Sequence, residues 1–246
     1  VLKILNYEES PGASSHIAIG LTSFGMDVSF HTAIGDDPEG SSILSSLKEN
    51  QIATGDIIQV EGRTTLTKIR FFGSRESLLD RSQILLQADK GPNEELDPSI
   101  SESLTKTALT NVPDSCALVI SDYDKGVVTN DGAQQLIQSA KKSGIPIIVD
   151  PKLTGLEKSR GATVVIFEKR GMTLLARRMG LDMDAAANKL LEDYSWNGIL
   201  VLGGIHGMHL HPVSYTHLRA HETREDRGGR LVGVKKKGGG GGGGGG

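Results

Sequence analysis

The sequence is poor in cysteine and aromatic residues and has no long hydrophobic run. Cys116 is the only cysteine among 246 residues, so an internal disulfide framework is excluded and a reducing compartment is favoured. No stretch reaches the roughly 18 apolar residues of a membrane span, and the start, VLKILNYEES, has no signal-peptide core. We therefore expect a cytoplasmic protein without a membrane partner.

An excess of basic charge is also missing once the unusual carboxyl-terminal residues are set aside. Residues 212–246 contain seven of the 27 basic side chains and three of the 30 acidic ones. The remaining 211 residues carry 20 basic against 27 acidic side chains, a formal charge of −7. Because a dedicated nucleic-acid binder presents a basic face, we expect no nucleic-acid partner.

The carboxyl-terminal residues have a composition that cannot build a core. Nine consecutive glycines at 238–246 follow three lysines, as in a flexible linker. The segment VSYTHLRAHET at 213–223 resembles one reading frame of a sequencing-library adapter, and the glycine run resembles translated poly-G. We predict that 212–246 is a non-native, disordered tail that packs on nothing. His217 and His221 have the spacing of helix-borne metal ligands, but we predict no metal site there.

Between about residue 14 and residue 211, short β-rich runs alternate with helical patterns. Periodicity predicts helices after Ser14 or Ser15, around 43–47, near 131–143 and near 170–195, and strands at 27–34, 117–121, 145–149, 163–167 and 199–202. Residues 58–87 instead show two or three alternating runs without a helix, which predicts a small β flap. Repeated β-α-β units imply a mostly parallel sheet covered by helices, so we predict one α/β domain over 1–211.

Two glycine-containing turns precede predicted helices. The first is PGASSH at 11–16, where backbone N–H groups could approach an anion or sugar hydroxyls; a plain capped helix start is the favoured interpretation. The second is IGDDPEG at 34–40, where a carboxylate could accept hydrogen bonds from a polyol. For Asp37, which precedes Pro-Glu, we prefer an N-cap.

Two basic side chains share one face of a predicted flap strand. Lys68 and Arg70 lie on the same side because side chains alternate along a strand. They could clamp a phosphate, with the Arg70 guanidinium making a bidentate contact. A solvated face, or an edge strand protected by its charges, is an equally good interpretation.

Dense polar segments follow two buried strands. SDYDKG occupies 121–126 and DPK occupies 150–152. Ligands of open α/β sheets bind at the carboxyl ends of strands, so both segments are candidate sites. A general base or a phosphate ligand could lie in either segment, and spacing alone does not say which.

The order and composition of these segments resemble the PfkB, or ribokinase-like, family of carbohydrate kinases, and most closely its heptose 7-phosphate kinases. The most specific match is Ser-Asp-Tyr-x-Lys-Gly at 121–126, which is characteristic of the heptose kinases. The other matches are Pro-Gly-Gly-Ala-x-Asn to 11–16, Gly-x-Asp-x-x-Gly to 35–40, Thr-x-Thr-Lys-x-Arg to 65–70, Asp-Pro-Lys at 150–152, Arg-Gly-Ala-Thr at 160–163 and the glycine turn at 204–208. The similarity covers roughly residues 1–211.

The resemblance implies a three-layer α/β/α domain with a β flap that forms a homodimer. The implied reaction uses ATP and Mg²⁺ to phosphorylate the anomeric hydroxyl of a sugar phosphate, D-glycero-D-manno-heptose 7-phosphate, in ADP-heptose biosynthesis. The implied substrate-side residues are Gly12, Ala13, His16, Asp36, Lys68, Arg70, Asp122 and Lys125, and the implied nucleotide-side residues are Asp150, Lys152, Gly204 and Gly207.

The sequence also departs from the family pattern. Ala13 replaces a glycine, His16 replaces an asparagine, Glu168 ends a segment where the family has Thr-Pro-Asn, and Leu202 replaces a threonine. The family's opening strand and its Gly-Ala-Gly-Asp segment, which supplies the anion hole and catalytic base, have no counterpart here. We therefore expect a domain truncated at both ends, with no catalytic base and no activity. The alternatives are a PfkB kinase for another sugar or a nucleoside, and a non-catalytic sugar-binding pseudokinase.

Overall fold

A computed structural model describes residues 6–73, 83–92, 94–204, 207–213 and 219–220. The helices in these ranges are α1 (Ala13–Ser23), α2 (Pro38–Glu49), α3 (Pro98–Asn111), α4 (Asn130–Ser143), α5 (Lys169–Met179) and α6 (Met183–Tyr194). The strands are β1 (Thr32–Gly35), β2 (Ile57–Val60), β3 (Thr67–Gly73), β4 (Gln83–Lys90), β5 (Leu118–Ser121), β6 (Ile147–Asp150), β7 (Val164–Glu168), β8 (Gly198–Leu202), β9 (Met208–Pro212) and β10 (Arg219–Ala220). Within the same ranges, no helix has the length and apolar composition that crossing a bilayer requires.

A six-stranded sheet with the order β10-β9-β8-β7-β6-β5 organises the domain. Strands β5 to β8 are parallel, and β9 is antiparallel to β8. Parallel neighbours need crossover connections: α4 connects β5 to β6, a segment with the short 3₁₀ helix Leu156–Ser159 connects β6 to β7, and α5 and α6 connect β7 to β8. This three-layer α/β/α arrangement confirms the predicted fold class. It also aligns the carboxyl ends of β5 to β8 along one edge, where ligands bind in open α/β sheets.

Two apolar clusters stabilise the domain. The larger one joins the sheet to α4, α5 and α6, and its fully buried side chains include Ile137, Met172 and Trp196. The smaller one lies where the parallel pair β1–β2 meets α1 and α2, and it contains Ile34 and Leu47. The β1–β2 pair is separate from the six-stranded sheet in the described part of the chain.

Local signals set most helix ends. Thr129 caps α4 by accepting a hydrogen bond from the Gly132 amide at 3.0 Å, and α4 ends at Gly144 with φ +70°, a conformation that glycine adopts without strain. The predicted N-cap of α1 at Ser14 or Ser15 is wrong, because α1 already begins at Ala13 after Gly12.

The flap is the antiparallel pair β3–β4. Its register places Lys68 opposite Asp89 and Arg70 opposite Gln87. The predicted bounds of 58–87 are wrong at both ends, because β2 pairs in parallel with β1 and β4 continues to Lys90. The physical reason is burial: Ile57 of β2 belongs to the smaller apolar cluster, so this strand packs in the body and not in the flap.

The sheet continues past the predicted domain boundary at residue 211. Strand β9 includes Pro212, and β10 (Arg219–Ala220) pairs with Met208 and His209. These described residues of the predicted tail therefore pair with the sheet, contrary to the expectation that 212–246 packs on nothing. His217 and His221 lie outside the described residues, and the origin of the tail stays a prediction.

Candidate functional site

The glycine turn after β1 is built around the carboxylate of Asp37. Asp37 caps α2 by accepting from the Gly40 amide at 2.8 Å, and it also accepts from the amide and hydroxyl of Thr65 at 2.8 and 2.6 Å. Burial opposes ionisation, but these hydrogen bonds outweigh it and lower the pKa of Asp37. A Cβ on Gly35 would collide with the carbonyl oxygen of Arg63. Asp37 is thus the N-cap that the sequence predicts, and Gly35 is required by backbone packing.

A cleft of about 390 Å³ opens between the flap and the loops that follow β5 and β6. The flap side contributes Leu66, Lys68, Asp89, Gly91 and Pro92, and the sheet side contributes Tyr123, Lys125 and Lys152. Three ammonium groups and one carboxylate therefore face the same space, which favours an anionic ligand. The tertiary structure brings together three predicted site lysines from separate segments.

Lys68 is the flap cation at the cleft. Its Nζ lies 3.5 Å from Oδ2 of Asp89, and the two side chains are 44% and 63% exposed. An ion pair this exposed is weak, so the ammonium stays available to a ligand. Arg70 is exposed two residues further along β3 and is not among the cleft-lining residues. Of the predicted pair, only Lys68 lines the cleft.

The sheet side of the cleft has an aromatic ring and an ammonium, and both interact with the half-buried carboxyl of Asp150, which is not itself among the lining residues. Nζ of Lys152 lies 4.9 Å from the centre of the Tyr123 ring, a cation–π distance. Burial raises the pKa of the Tyr123 hydroxyl, and the charge of Asp150 adds to the rise. Burial also raises the pKa of the Asp150 carboxyl, against the lowering effect of Lys152. A carboxyl with a raised pKa at a strand's carboxyl end is suited to proton exchange.

Asp122 is engaged in an ion pair and does not line the cleft. Its side chain is 2% exposed and accepts from Nζ of Lys158 at 2.7 Å. The same ammonium lies 3.3 Å from Asp124. Hydrogen bonds from Thr154 and then from Lys158 lower the pKa of the Asp124 carboxyl. In this structure Asp122 is therefore buried in an ion pair, and its assignment as a substrate ligand stays a prediction.

The remaining predicted substrate-side residues lie outside the lining of this cleft. Gly12 and Ala13 form the start of α1, and His16 is exposed on its first turn. Asp36 is exposed directly after β1. None of these four is among the residues that line the 390 Å³ cleft.

The predicted nucleotide-side residues share the carboxyl edge of the sheet. Asp150 ends β6 and Lys152 follows it, while Gly204 and Gly207 lie in the turn after β8. Both glycines have positive φ, +59° and +78°, which favours glycine, and the Gly207 amide donates to the Gly204 carbonyl at 3.0 Å. In the described ranges, no group of three or more His, Cys, Asp or Glu residues is placed to hold a metal ion.

Sequence reasoning missed two residues of the site. Lys158 belongs to a short 3₁₀ helix, Leu156–Ser159, and its partner Asp122 is 36 positions away. Asp89 reaches the cleft because the β3–β4 register places it opposite Lys68. Asp89 can be identified only once the β3–β4 register is known, and no sequence signal identifies Lys158.

Comparison with known proteins relates this architecture to sugar kinases. The pfkB family carbohydrate kinase pattern matches residues 9–201. The bifunctional protein HldE of Shigella dysenteriae serotype 1 is 30% identical over 213 residues, which cover 85% of this chain and 42% of that protein. The chain therefore spans less than half the length of this curated relative.

Solved structures share the fold at low sequence identity. Ribokinase of Arabidopsis thaliana, complexed with ribose and ATP, superposes with a TM-score of 0.61 at 15% identity, covering 85% of this chain and 66% of the other. Phosphofructokinase-2 of Escherichia coli, in complex with fructose-6-phosphate, gives a TM-score of 0.60 at 17% identity, covering 85% and 67%. At such identities the likeness concerns the fold alone.

Proposed function

The chain belongs to the pfkB family of carbohydrate kinases, and on that premise we propose that it carries the substrate cleft of a kinase for a sugar phosphate. The proposed reaction is ATP-dependent phosphorylation of the anomeric hydroxyl of D-glycero-D-manno-heptose 7-phosphate, a step of ADP-heptose biosynthesis in the cytoplasm. Support for the heptose comes from Ser-Asp-Tyr-x-Lys-Gly at 121–126, the motif of the heptose kinases. A kinase for another sugar or a nucleoside is the second candidate.

The observation that carries this proposal is the charge of the cleft. Lys68, Lys125 and Lys152 converge on it, and Asp89 is the one acid among its lining residues. A phosphate already present on the substrate provides the negative charge that such a cleft attracts, and charged hydrogen bonds to phosphate are strong. A neutral sugar would leave the cleft with a formal charge of +2, from three ammonium groups and the single carboxylate of Asp89.

ATP is proposed to bind along the same sheet edge. Asp150, Lys152, Gly204 and Gly207 are the residues that we assign to the nucleotide side. Mg²⁺ is typically held by one or two carboxylates together with the phosphates of the nucleotide. Asp150 fits this requirement as a single carboxylate at the end of β6, and the ion would neutralise phosphate charge.

The 246 residues contain no Gly-Ala-Gly-Asp sequence. In the family this segment supplies both the anion hole and the catalytic base. We therefore propose that the chain as written binds its substrate without transferring phosphate. A sugar-binding protein without catalysis is the corresponding alternative from a different functional class.

The phosphate assignment is tested by replacing Lys68 with methionine. Losing one charged partner of a phosphate costs about 1.5–3 kcal/mol, which corresponds to a roughly 10- to 150-fold higher Kd. We expect this loss for heptose 7-phosphate and little change for unphosphorylated heptose, both measured by titration calorimetry. Arg70→Met is the matched control, because Arg70 is a cation on the same strand that does not line the cleft. An equal increase in Kd for both ligands would indicate that Lys68 is a solvated charge that does not bind the phosphate.

Homodimerisation through the flap is also part of the proposal. Three large apolar side chains of the flap, Phe72, Leu85 and Leu86, are 60%, 56% and 57% exposed. An isolated two-stranded pair is marginally stable, and exposed apolar surface of this kind marks an interaction site. A second copy of the flap would cover these side chains.

Phe72→Asp is expected to convert the dimer to a monomer, because a carboxylate would be buried without a partner in the interface. Sedimentation velocity gives the mass of the species in solution. Phe24→Asp is the control, since Phe24 is 83% exposed at the end of α1, outside the flap. An unchanged dimer in Phe72→Asp, or a monomeric wild type, would contradict the flap interface.

A further inference from the structure

The turn at 122–126 carries two of the cleft residues, Tyr123 and Lys125. Neighbouring segments hold its far end: Arg63 Nη2 donates to the Lys125 carbonyl at 2.9 Å, and Ser101 Oγ donates to the Gly126 carbonyl at 2.5 Å. The turn is therefore tied to the body of the domain, and its conformation determines where the Tyr123 ring and the Lys125 ammonium lie.

The near end of the turn depends on Lys158. Its Nζ bridges Oδ2 of Asp122 at 2.7 Å and Oδ1 of Asp124 at 3.3 Å. The other oxygen of Asp122 accepts from the Asp124 amide at 3.0 Å. Asp124 has φ +55°, which is uncommon for a residue other than glycine and is kept only where contacts hold it.

The two carboxylates that Lys158 joins would otherwise repel each other. The Asp122 side chain is 2% exposed, so little water screens it, and Asp124 lies two residues further along the turn. An uncompensated buried charge is strongly unfavourable. Removing the ammonium would favour a conformation in which Asp122 and Asp124 move apart and reach solvent, and this would open the turn.

Lys158 itself is not a ligand group. Its side chain is 10% exposed, and it is not among the residues that line the cleft. It belongs to the 3₁₀ helix Leu156–Ser159 after β6, whereas the turn follows β5. The ion pair thus connects the loops after two neighbouring strands, and these loops supply the sheet side of the cleft.

We infer that Lys158 is a positioning residue, which acts through Asp122 and Asp124 to hold Tyr123 and Lys125 in place at the cleft. The identity of the ligand that Tyr123 and Lys125 contact rests on the proposed function. The effect on the turn itself does not, so the two can be tested separately.

The test compares Lys158→Met with the wild type in the full chain. Amide hydrogen exchange reports the turn without any ligand, and we expect exchange at Asp124 to be about tenfold faster or more, since a charged hydrogen bond is lost. Titration with heptose 7-phosphate reports the cleft, and we expect its Kd to rise about tenfold as Lys125 loses its position. Lys158→Arg, which keeps the charge, should restore both values.

Two further variants separate positioning from folding. Lys189→Met removes an exposed lysine whose Nζ lies 3.2 Å from Asp193 on α6, and it should change neither measurement. The pair Asp122→Asn with Lys158→Met removes both buried charges and their repulsion of Asp124, so it should restore thermal stability. The Asp124 amide then donates to a neutral amide oxygen, and Asp124 has lost its ammonium partner, so exchange at Asp124 should remain faster than in the wild type but slower than in Lys158→Met. The double variant also keeps the test valid where Lys158→Met alone does not fold.

Fast exchange in the turn together with weaker binding would support the inference. Exchange at Asp124 that is unchanged in the single or the double variant would overturn it. So would a Kd for heptose 7-phosphate that is the same in Lys158→Met as in a wild type that binds this ligand. A wild type that does not bind heptose 7-phosphate would contradict the proposed function, and the exchange measurement would still decide the role of Lys158.

Discussion

ATP turnover by the 246-residue chain with heptose 7-phosphate is expected to stay at background. Phosphoryl transfer needs donors that hold the charge of the moving group and a carboxylate that orients the attacking hydroxyl. Loss of a general base typically costs about 10²- to 10⁴-fold, and loss of one oxyanion-type donor costs about 10²- to 10³-fold. Both belong to the Gly-Ala-Gly-Asp segment, which the sequence does not contain.

Of the two acids at the carboxyl ends of β5 and β6, only Asp150 is a candidate for a substitute base. Asp122 is buried and paired with Lys158, so it cannot reach a substrate hydroxyl. Asp150 is half-buried, and burial raises the pKa of its carboxyl, which makes it the better candidate for a base.

A coupled ADP-release assay measures the rate of ATP turnover and tests this expectation. The positive control is a fusion in which residues 1–212 are followed by a family segment containing Gly-Ala-Gly-Asp. Turnover by the unfused chain that disappears in Asp150→Asn would identify Asp150 as the base and contradict the expectation. Binding of the sugar phosphate without turnover even in the fusion would favour the non-catalytic alternative.

The second large effect is expected for Trp196→Ala, which should lower the free energy of unfolding by about 3–5 kcal/mol. Trp196 is 1% exposed, and its ring stacks on Tyr194 at 4.8 Å and packs against Phe167 at 6.0 Å. Its Nε1 donates to the Ser159 carbonyl at 2.8 Å. The alanine variant leaves a cavity and removes one of two hydrogen bonds to the Ser159 carbonyl, which still accepts from the Ala162 amide at 3.0 Å.

Urea denaturation followed by circular dichroism measures the change in stability. Trp196→Phe keeps most of the ring and loses the hydrogen bond, so we expect a smaller loss of about 1–3 kcal/mol. Phe24→Ala is the surface control and should stay within about 0.5 kcal/mol of the wild type, because Phe24 is 83% exposed. A loss below about 1 kcal/mol for Trp196→Ala would contradict the position of this ring in the core.

Local sequence signals predicted much of the fold. The strands at 117–121, 145–149, 163–167 and 199–202 appear as β5 to β8 within two residues of their predicted bounds. The predicted N-cap at Asp37 is present with its hydrogen bond to the Gly40 amide. Both kinds of signal depend on side-chain period and on contacts between residues close in sequence.

The pairing partner of a strand is harder to predict from the sequence, because it depends on residues far away in the chain. The alternating pattern places β2 in the flap, but β2 pairs in parallel with β1, and its Ile57 belongs to the smaller apolar cluster. Strand β9 was not predicted, and its place follows from antiparallel pairing with β8. Neither pairing has a local signature, since an alternating run can pair with any suitable strand edge.

The sequence by itself determined the α/β class, the family through its motifs at 35–40, 65–70 and 121–126, and the identity of the lysines near the site. Only the tertiary structure decided that Lys68, Lys125 and Lys152 share one cleft, that Arg70 does not line it, and that Asp122 is paired with Lys158. Period and capping act over a few residues, so they can be recognised in the chain alone. Ion pairs and clefts form between segments tens of residues apart, and their composition depends on strand register and on how the loops pack.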